Sequence, residues 1–552
     1  GINVPELTLA ATHPDNPFGK PVRFRYTFGE FGAQRRTNDV DVARIMVGTK
    51  GTAAGWDLDA GLVHSESKLD QTYTLVRTQG VIDAFNNPAS ATFGYRMGAN
   101  AGLNTAAQRE SLLVSGTSAS KTTLDVVDFK ASRELMKLPG GAMAVALGAE
   151  FRQLDLKAPS LSGTEDGSAM ASYNGFFGKE KVWAAYGELL APVLNSLELT
   201  AALRYDRYES FSKATPKFAV KFAPIQQLVV RASYSEGFRA PNPAEASPSA
   251  QATFGSSGAH DPIRCPNGVQ APGANTADCN GSAAGGITQG NPALKPETSK
   301  SYNLGFVAEP VKGLTFGADL WRIKKKDNIQ TISFQEAFDR PDVVRGDNNL
   351  PGIPNSGSIL VAYAPFANLG GTTVAGVDVD LGYRWKVADV GSFRTELHWT
   401  RYKTWEDITI DGTTRDFVGT HGNCDVSNCI GSPQDKLNLA ATWETSSFGV
   451  SATMNWRSAL KNVADNGSDE CLSVHSLDGS TDCKKLPSFY TLDMTGRWNL
   501  SKSLQIYGSI NNLFDRVAPL DTVTYGGINY NPMDSSGAMG RYFSAGLKYT
   551  FK

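Results

Sequence analysis

Hydrophobic and polar residues alternate with a period of two along most of this chain. In the last segment Phe543, Ala545, Leu547, Tyr549 and Phe551 fall on one side, and Tyr542, Ser544, Gly546, Lys548, Thr550 and Lys552 on the other. A period of two is the mark of a β-strand with one apolar face. Leu197, Leu199, Ala201, Leu203 and Tyr205 interleave with Glu198, Thr200, Ala202, Arg204 and Asp206. Leu228, Val230, Ala232 and Tyr234 interleave with Val229, Arg231, Ser233 and Ser235. The segments at Leu314–Leu320, Leu437–Trp443 and Tyr490–Trp498 repeat the pattern. A sandwich core would also give one apolar face. Segments of about 10 residues or more instead suit tilted strands that cross a bilayer. About 18 such strands are predicted, the first at Arg23–Glu30.

The connections alternate in length. Short turns are predicted at Lys50–Gly55, Lys137–Gly141, Ala191–Ser196, Ala223–Gln227, Glu309–Gly313, Lys386–Gly391, Thr445–Ser447 and Asn499–Ser503. Between them fall mostly long segments: Ser67–Ser120, Asp155–Lys179, Arg239–Thr298, Asp327–Gly371, Glu406–Gln434, Ala459–Pro487 and Asp515–Gly540. Only Phe31–Asn38 and Glu209–Thr215 are short on that side. Short turns at one end and long loops at the other describe an all-β, antiparallel, up-and-down transmembrane barrel. A soluble sandwich has no reason to gather its long loops at one end.

Composition is compatible with this reading. The chain has no run of eighteen apolar residues, and its 41% hydrophobic content is ordinary for a soluble protein. A barrel that alternates lipid-facing and lumen-facing residues averages to the same value. A net charge of −2 argues against nucleic acid as a partner. The six cysteines fall in pairs, Cys265 with Cys279, Cys424 with Cys429 and Cys471 with Cys483, each pair within one long segment. Local disulfides are the simplest of the possible pairings, and they imply an oxidising, cell-surface setting. The alternative, a zinc site, lacks a close Cys-x-x-Cys pair, and His421 stands alone beside Cys424.

Several motifs resemble those of TonB-dependent outer-membrane transporters. Ser233-Tyr-Ser-Glu-Gly-Phe-Arg-Ala-Pro241 is similar to that family's S-x-G-F-R-A-P strand end. Asn291-Pro-Ala-Leu-Lys-Pro-Glu-Thr-Ser-Lys-Ser-Tyr-Asn-Leu-Gly305 is similar to its N-P-x-L-K-P-E-x-S-x-x-Y-x-x-G pattern, and Ile510–Asp515 to its N-L-F-D. The spacing of Ser544, Gly546, Tyr549 and Phe551 resembles the C-terminal signal read by barrel-assembly machinery, although here Lys552 follows the aromatic. The likeness runs from about Arg23 to Phe551. It implies a barrel of about 22 strands in the intact fold, closed by an N-terminal plug. Neither a plug nor an energy-coupling box is legible in this sequence, and Asn16–Gly19 looks like a mid-barrel segment. Residues 1–552 are therefore expected to be the C-terminal part of such a barrel, without the plug and the first few strands. A gap is expected between Arg23–Glu30 and Arg541–Lys552.

The resemblance implies energy-coupled uptake of a scarce ligand, foremost an iron–siderophore chelate. Oligosaccharide uptake by the same mechanism and a passive porin-like channel are the alternatives. It implies an outer-membrane location. The implied partners are the TonB protein acting through the plug, membrane lipid and lipopolysaccharide, the assembly machinery and a small-molecule ligand. No cofactor or resident metal is expected.

Enzyme chemistry has no foothold: no G-x-S-x-G elbow, H-E-x-x-H helix or phosphate loop occurs. His398, with lumen parity beside Arg394 and Glu396, reads as polar wall, and Asp465–Glu470 as a loop turn rather than a calcium site. Candidate ligand contacts are Tyr173, Phe176, Phe177, Tyr525 and Tyr530 in the long segments, and Arg239 at a strand end. Arg239 has a structural use as its alternative, and the aromatics have the interfacial girdle. Trp405 reads as girdle, and Lys295 and Glu297 as solvated rim charges. Pro241 and Pro243 are expected to end their strand.

Two outcomes follow from the pattern alone. Spin labels at Leu547, Tyr549 and Phe551 should be reached by a lipid-soluble quencher, and labels at Ser544 and Lys548 should not; loss of this period of two would contradict the barrel. Peptide mapping without reductant should recover Cys265–Cys279, Cys424–Cys429 and Cys471–Cys483 as local bridges.

Overall fold

The computed structural model describes the chain except residues 1, 4–6, 25, 33–34, 248, 255–258, 280–283, 409–412, 422–430, 463–484, 522–529 and 552. Its body is one antiparallel wall in which each strand pairs with the next. The wall strands are β1 (Arg36–Ala53), β2 (Trp56–Val76), β3 (Leu113–Leu138), β4 (Gly141–Ala158), β5 (Asn174–Leu194) and β6 (Leu197–Arg207). They continue as β7 (Ser212–Ile225), β8 (Leu228–Arg239), β9 (Glu297–Val311), β10 (Leu314–Thr331), β11 (Ile359–Val387) and β12 (Gly391–Ile408). The last five are β13 (Asp435–Glu444), β14 (Phe448–Arg457), β15 (Phe489–Asn499), β16 (Leu504–Asn511) and β17 (Tyr542–Tyr549).

The predicted parity holds. On β6, Leu199, Leu203 and Tyr205 are 38%, 53% and 44% exposed, although apolar side chains of that size are normally withdrawn from water. Their surroundings must therefore be apolar. On the opposite face, Arg204 binds Asp206 and reaches Glu150 of β4 at 3.4 Å. Ionic groups paired with one another line the inner face, and bare apolar groups the outer one. The short turns also fall where expected: β1 and β2 are joined by Ala54 and Gly55, both at positive φ (51° and 78°), the backbone of a two-residue hairpin turn.

The strands outrun the predicted loop boundaries. β3 has 26 residues and β11 has 29, against the ~10 that cross a bilayer. Segments read as loop, such as Ser67–Val76 and Leu113–Ser120, are paired strand. Much of the long-loop side is thus continuous extended hairpin.

Arg23–Glu30 is not a wall strand, and Phe31–Asn38 is not a hairpin between wall strands. Val22–Phe24 pairs with Leu7–Leu9, and Thr27–Phe28 with Ile2–Asn3. The alternation there is real, but its apolar side faces protein. Phe28 is fully buried, stacked on Phe31 with ring centroids 4.7 Å apart, and packed with Phe85 of helix Thr78–Asn86 and with Tyr95. These residues form a small outer lobe with its own core. Among the described residues the wall thus has seventeen strands, the first being Arg36–Ala53.

The two ends of this wall, β1 and β17, have no paired register with one another among the described residues. β1 pairs with β2 and β17 with β16. Every residue of β1 is exposed. The sheet does close on itself as a ring, and the pairings that close it lie at the mouth, through two short strands, Ala250–Phe254 and Gly285–Gln289.

The outer lobe carries a pH dependence. Burial pushes the His13 imidazole below its ordinary value of 6.5. Burial pushes the Asp15 carboxyl up, but Arg96, the Met97 N–H and the Asn100 amide outweigh it, leaving it below the ordinary 3.8. Both folded forms bind fewer protons than the unfolded chain, so their contribution is present above the ordinary values and lost as pH falls through them. Hydrogen exchange of residues 7–31, corrected for intrinsic rates, should show the lobe loosening between about pH 6.5 and pH 3 while the wall stays protected. Asp15→Asn should remove the lower part of that response.

Candidate functional site at the outer mouth

Between β8 and β9 the chain leaves the wall and crosses the mouth as a strap. Arg239 ends β8, and Pro241 and Pro243 follow it, as expected of residues that cannot continue a ladder. Asn242 caps the short helix Pro243–Ala246 in a reciprocal capping box with Glu245. The strap then makes two strands. Ala250–Phe254 pairs antiparallel with Asn174 and Gly175 of β5, and Gly285–Gln289 runs parallel to Val361–Pro365 of β11. The two strap strands pair with each other. The outer ends of β5 and β11, separated along the wall by five strands, are thereby tied together.

The strap is stapled by Cys265–Cys279, with an S–S distance of 1.99 Å. Around the staple lies a buried ionic core. Arg264 donates to Asp278 at 2.7 Å with both side chains under 5% exposed, and Arg345 donates to Asp261 at 2.8 Å. Removing one partner of such a buried pair would leave an uncompensated charge, at a cost of about 3–5 kcal/mol. Ile332, Phe338, Ile359 and Ala362 supply the apolar packing beside it. Cys424, Cys429, Cys471, Cys483 and the Asp465–Glu470 turn lie outside the described residues.

The two long motifs meet at one point. Glu297 is 5% exposed, so it is a buried hub and not a solvated rim charge. It accepts from Arg239 at 2.9 Å and from the Ile329 N–H at 2.8 Å, and pairs with Lys325 at 3.3 Å. Arg239 also grips Glu245 with one nitrogen. Asn291 holds the return path, donating to the Phe366 carbonyl, and the Lys295 N–H donates to Asn368. Gly305, which ends the second motif, faces Asp319, and a Cβ there would lie 2.1 Å from a carboxylate oxygen. That space lets Asp319 receive Arg231 of β8 with two nitrogens. Asn512 of the N-L-F-D stretch is wholly buried at φ 51°, donating to the Arg516 carbonyl.

Tyr173, Phe176 and Phe177 are half-buried where β5 meets the strap, and their backbone anchors it: the Ala252 N–H donates to the Tyr173 carbonyl and the Phe177 N–H to Ser249. Arg239 is consumed by its two carboxylates. Tyr530, half-buried, bridges Leu520; Tyr525 lies outside the described residues. Of the assembly-signal positions, Ser544 meets Ser509 at 2.7 Å, and Gly546 leaves room for the Tyr507 ring. Tyr549 and Phe551 are exposed.

Trp405 departs from the girdle reading. Lys403 is an extra residue opposite Ala375 and Gly376, and this bulge moves Trp405 onto the inner face. There Trp321, Tyr402 and Trp405 form a run of rings, centroids 5.8 and 5.3 Å apart, with Lys436 over Tyr402. The Trp321 and Trp405 indole N–H groups are buried without a protein acceptor. Parity alone could have found Trp321 and Lys436; the bulge hid Trp405. His398 is on the inner face as expected, 2.5 Å from Asp380. No group of three metal-ligating side chains occurs among the described residues.

Such a wall, apolar outside, ionic inside and strapped at one mouth, defines a large antiparallel β-barrel of the membrane type. The family model described as TonB dependent receptor-like, beta-barrel, matches residues 5–513, and the chain belongs to that family. Its members are outer-membrane receptors and transporters rather than enzymes. Among solved structures, the siderophore receptor PirA from Acinetobacter baumannii is similar at 17% identity and a TM-score of 0.59, over 93% of this chain and 63% of that one. A mutant of the ferric enterobactin receptor PfeA from Pseudomonas aeruginosa gives 16%, 0.59, 93% and 62%. The chain thus spans under two thirds of the length of these structures. No curated protein sequence matches it.

Glu297→Ala should leave the Ile329 N–H and two cations without their shared acceptor. A loss of about 1–3 kcal/mol is expected, read as a lower midpoint of heat-induced mobility change on gels. Glu297→Gln, which can still accept from Ile329, should fall between the variant and the parent.

Proposed function

We propose that this chain is the C-terminal part of a TonB-dependent outer-membrane receptor that imports a scarce ligand, foremost an iron–siderophore chelate. The observation that carries the reading is the family's barrel with a stapled strap across its mouth. A passive pore gains nothing from a tied and roofed entrance, whereas a receptor must hold its ligand there. The inner-face rings of Trp321, Tyr402 and Trp405, with Lys436 beside them, suit a flat, oxygen-rich, anionic ligand. Tyr173, Phe176, Phe177, Tyr525 and Tyr530 are the further contacts we assign to it.

The bare edges of β1 and β17 support the domain reading. In hydrocarbon each unmade backbone hydrogen bond costs several kcal/mol, so both edges call for strands. The seventeen wall strands against the 22 of plugged transporters leave about five, roughly 24 Å of wall. Coupling to TonB would act through the plug, and the last strand would be read by the assembly machinery.

In cells lacking the full gene, uptake of labelled ferric siderophore under iron limitation should fall, and in the parent it should stop on adding an uncoupler. Uptake that survives the uncoupler would mean a passive channel. A growth defect confined to oligosaccharides would move the ligand to carbohydrate. Trp405→Ala, which removes the ring, should weaken chelate binding by roughly fivefold to tenfold, as for a lost aromatic contact of about 1 kcal/mol.

A further inference from the structure

On the first five wall strands the two faces exchange character partway up. Val47, Leu62 and Val127 stand in one outward row that ends on Phe151 and Trp183, whose ring centroids are 4.4 Å apart. Aromatic rings on the outside of a barrel mark where hydrocarbon gives way to head groups. Above that row, toward the long loops, the outward face turns ionic. His64 meets Asp125 at 2.6 Å, Lys121 meets Glu66 at 2.7 Å and Lys179 meets Asp155 at 2.9 Å.

The inward face at the same level is apolar. The register sets Met46 opposite Val63 and Val63 opposite Val126. One step higher it sets Arg44 opposite Ser65, Ser65 opposite Leu124 and Leu124 opposite Leu154. Val42 lies above Arg44 on β1. Val42 and Met46 are 69% and 68% exposed. Strands added beside β1 would pair its edge and leave this inner face open. The outer lobe has its own core, and none of these side chains belongs to it. The Arg152–Glu180 pair bounds the patch on its β5 side. Arg44 is exposed between Val42 and Met46 and has no ion pair among the described residues. Arg204 and Arg231, elsewhere on the inner face, are each held by a carboxylate.

We infer that Arg44 and the aliphatic groups around it, Val42, Met46, Val63, Leu124, Val126 and Leu154, form a binding site for a medium-chain carboxylate. A planar guanidinium matches a carboxylate with two nitrogens, so Arg44 takes the head and the aliphatic side chains take the chain. From Arg44 to Leu154 the patch crosses three strand spacings, about 14 Å, which is the reach of a chain of about ten carbons. A wholly apolar occupant would leave Arg44 without a counterion. A simple anion would leave the aliphatic patch in water. A chain that ends in a carboxylate answers both demands. The Trp321, Tyr402 and Trp405 rings lie on β10 and β12, so this site is separate from the one assigned to the chelate.

The test uses the full-length protein held in amphipol, since free detergent would compete for the patch. Equilibrium dialysis with radiolabelled decanoate is the readout, with empty amphipol as the blank. The parent should bind decanoate saturably. Arg44→Gln should weaken binding roughly fivefold, as for one exposed ion pair. The combined variant Val42→Thr, Val63→Thr and Val126→Thr keeps size and strand preference. It should bind at least tenfold less, because each lost methyl contact is worth about fourfold. Lys217→Gln, at another cation of the inner face, should bind like the parent. A parent without saturable binding would overturn the site, and would mean that another part of the chain covers the patch. Equal binding by the valine variant would overturn it too. So would equal competition by decanol, which would mean chain adhesion alone, or by butyrate, which would mean a free-anion site. Uptake of the ferric chelate tests the receptor reading separately from all of these outcomes.

Discussion

Everything in this structure depends on the pairing of backbone N–H and C=O groups between neighbouring strands. In a hydrocarbon layer no water can satisfy those groups, so a strand survives there only inside a ladder. From β1 to β17 each strand is paired with the next, with local register shifts such as the one at Lys403. Once the ladder is fixed, side chains have only two directions to point. Apolar groups can be left bare on one face, and charges can be gathered on the other. The outer face of β6 and the Arg204 cluster behind it follow from that single constraint.

Charge on the inner face is then managed by pairing. Arg231 with Asp319, and Arg239 with Glu245 and Glu297, are cross-strand or strand-to-strap contacts. They explain why two motifs far apart in the chain belong together: each supplies one end of the same ion pair. The strap adds a second closure above the wall. With its disulfide, its buried Arg264–Asp278 pair and its ladders to β5 and β11, it fixes the mouth at a place where the wall strands have already parted into hairpins.

The outer lobe shows how one sequence pattern can serve two ends. Val22, Phe24, Tyr26 and Phe28 alternate as cleanly as any wall strand. Their apolar side is met by Phe85 and Tyr95 rather than by lipid, and Phe28 is fully buried where wall aromatics such as Tyr205 are not. Glu30 accepts from both Tyr26 and Tyr95, closing the lobe with hydrogen bonds no wall strand would need.

The sequence by itself determined the strand period, the short turns, the order of long and short connections and the Cys265–Cys279 staple, because these depend on near neighbours in the chain. It also carried the motifs that mark the family. What it left undecided were questions of what a given face meets. Whether the apolar side of Arg23–Glu30 touches lipid or protein depends on helix Thr78–Asn86, some fifty residues on. Whether Glu297 is rim or hub depends on Arg239 and Ile329 arriving beside it. Trp405 lies inside rather than outside because one extra residue, Lys403, reverses parity, and a bulge is defined only against its partner strand. Periodicity states that a strand has two faces; only the tertiary structure places a neighbour against each of them.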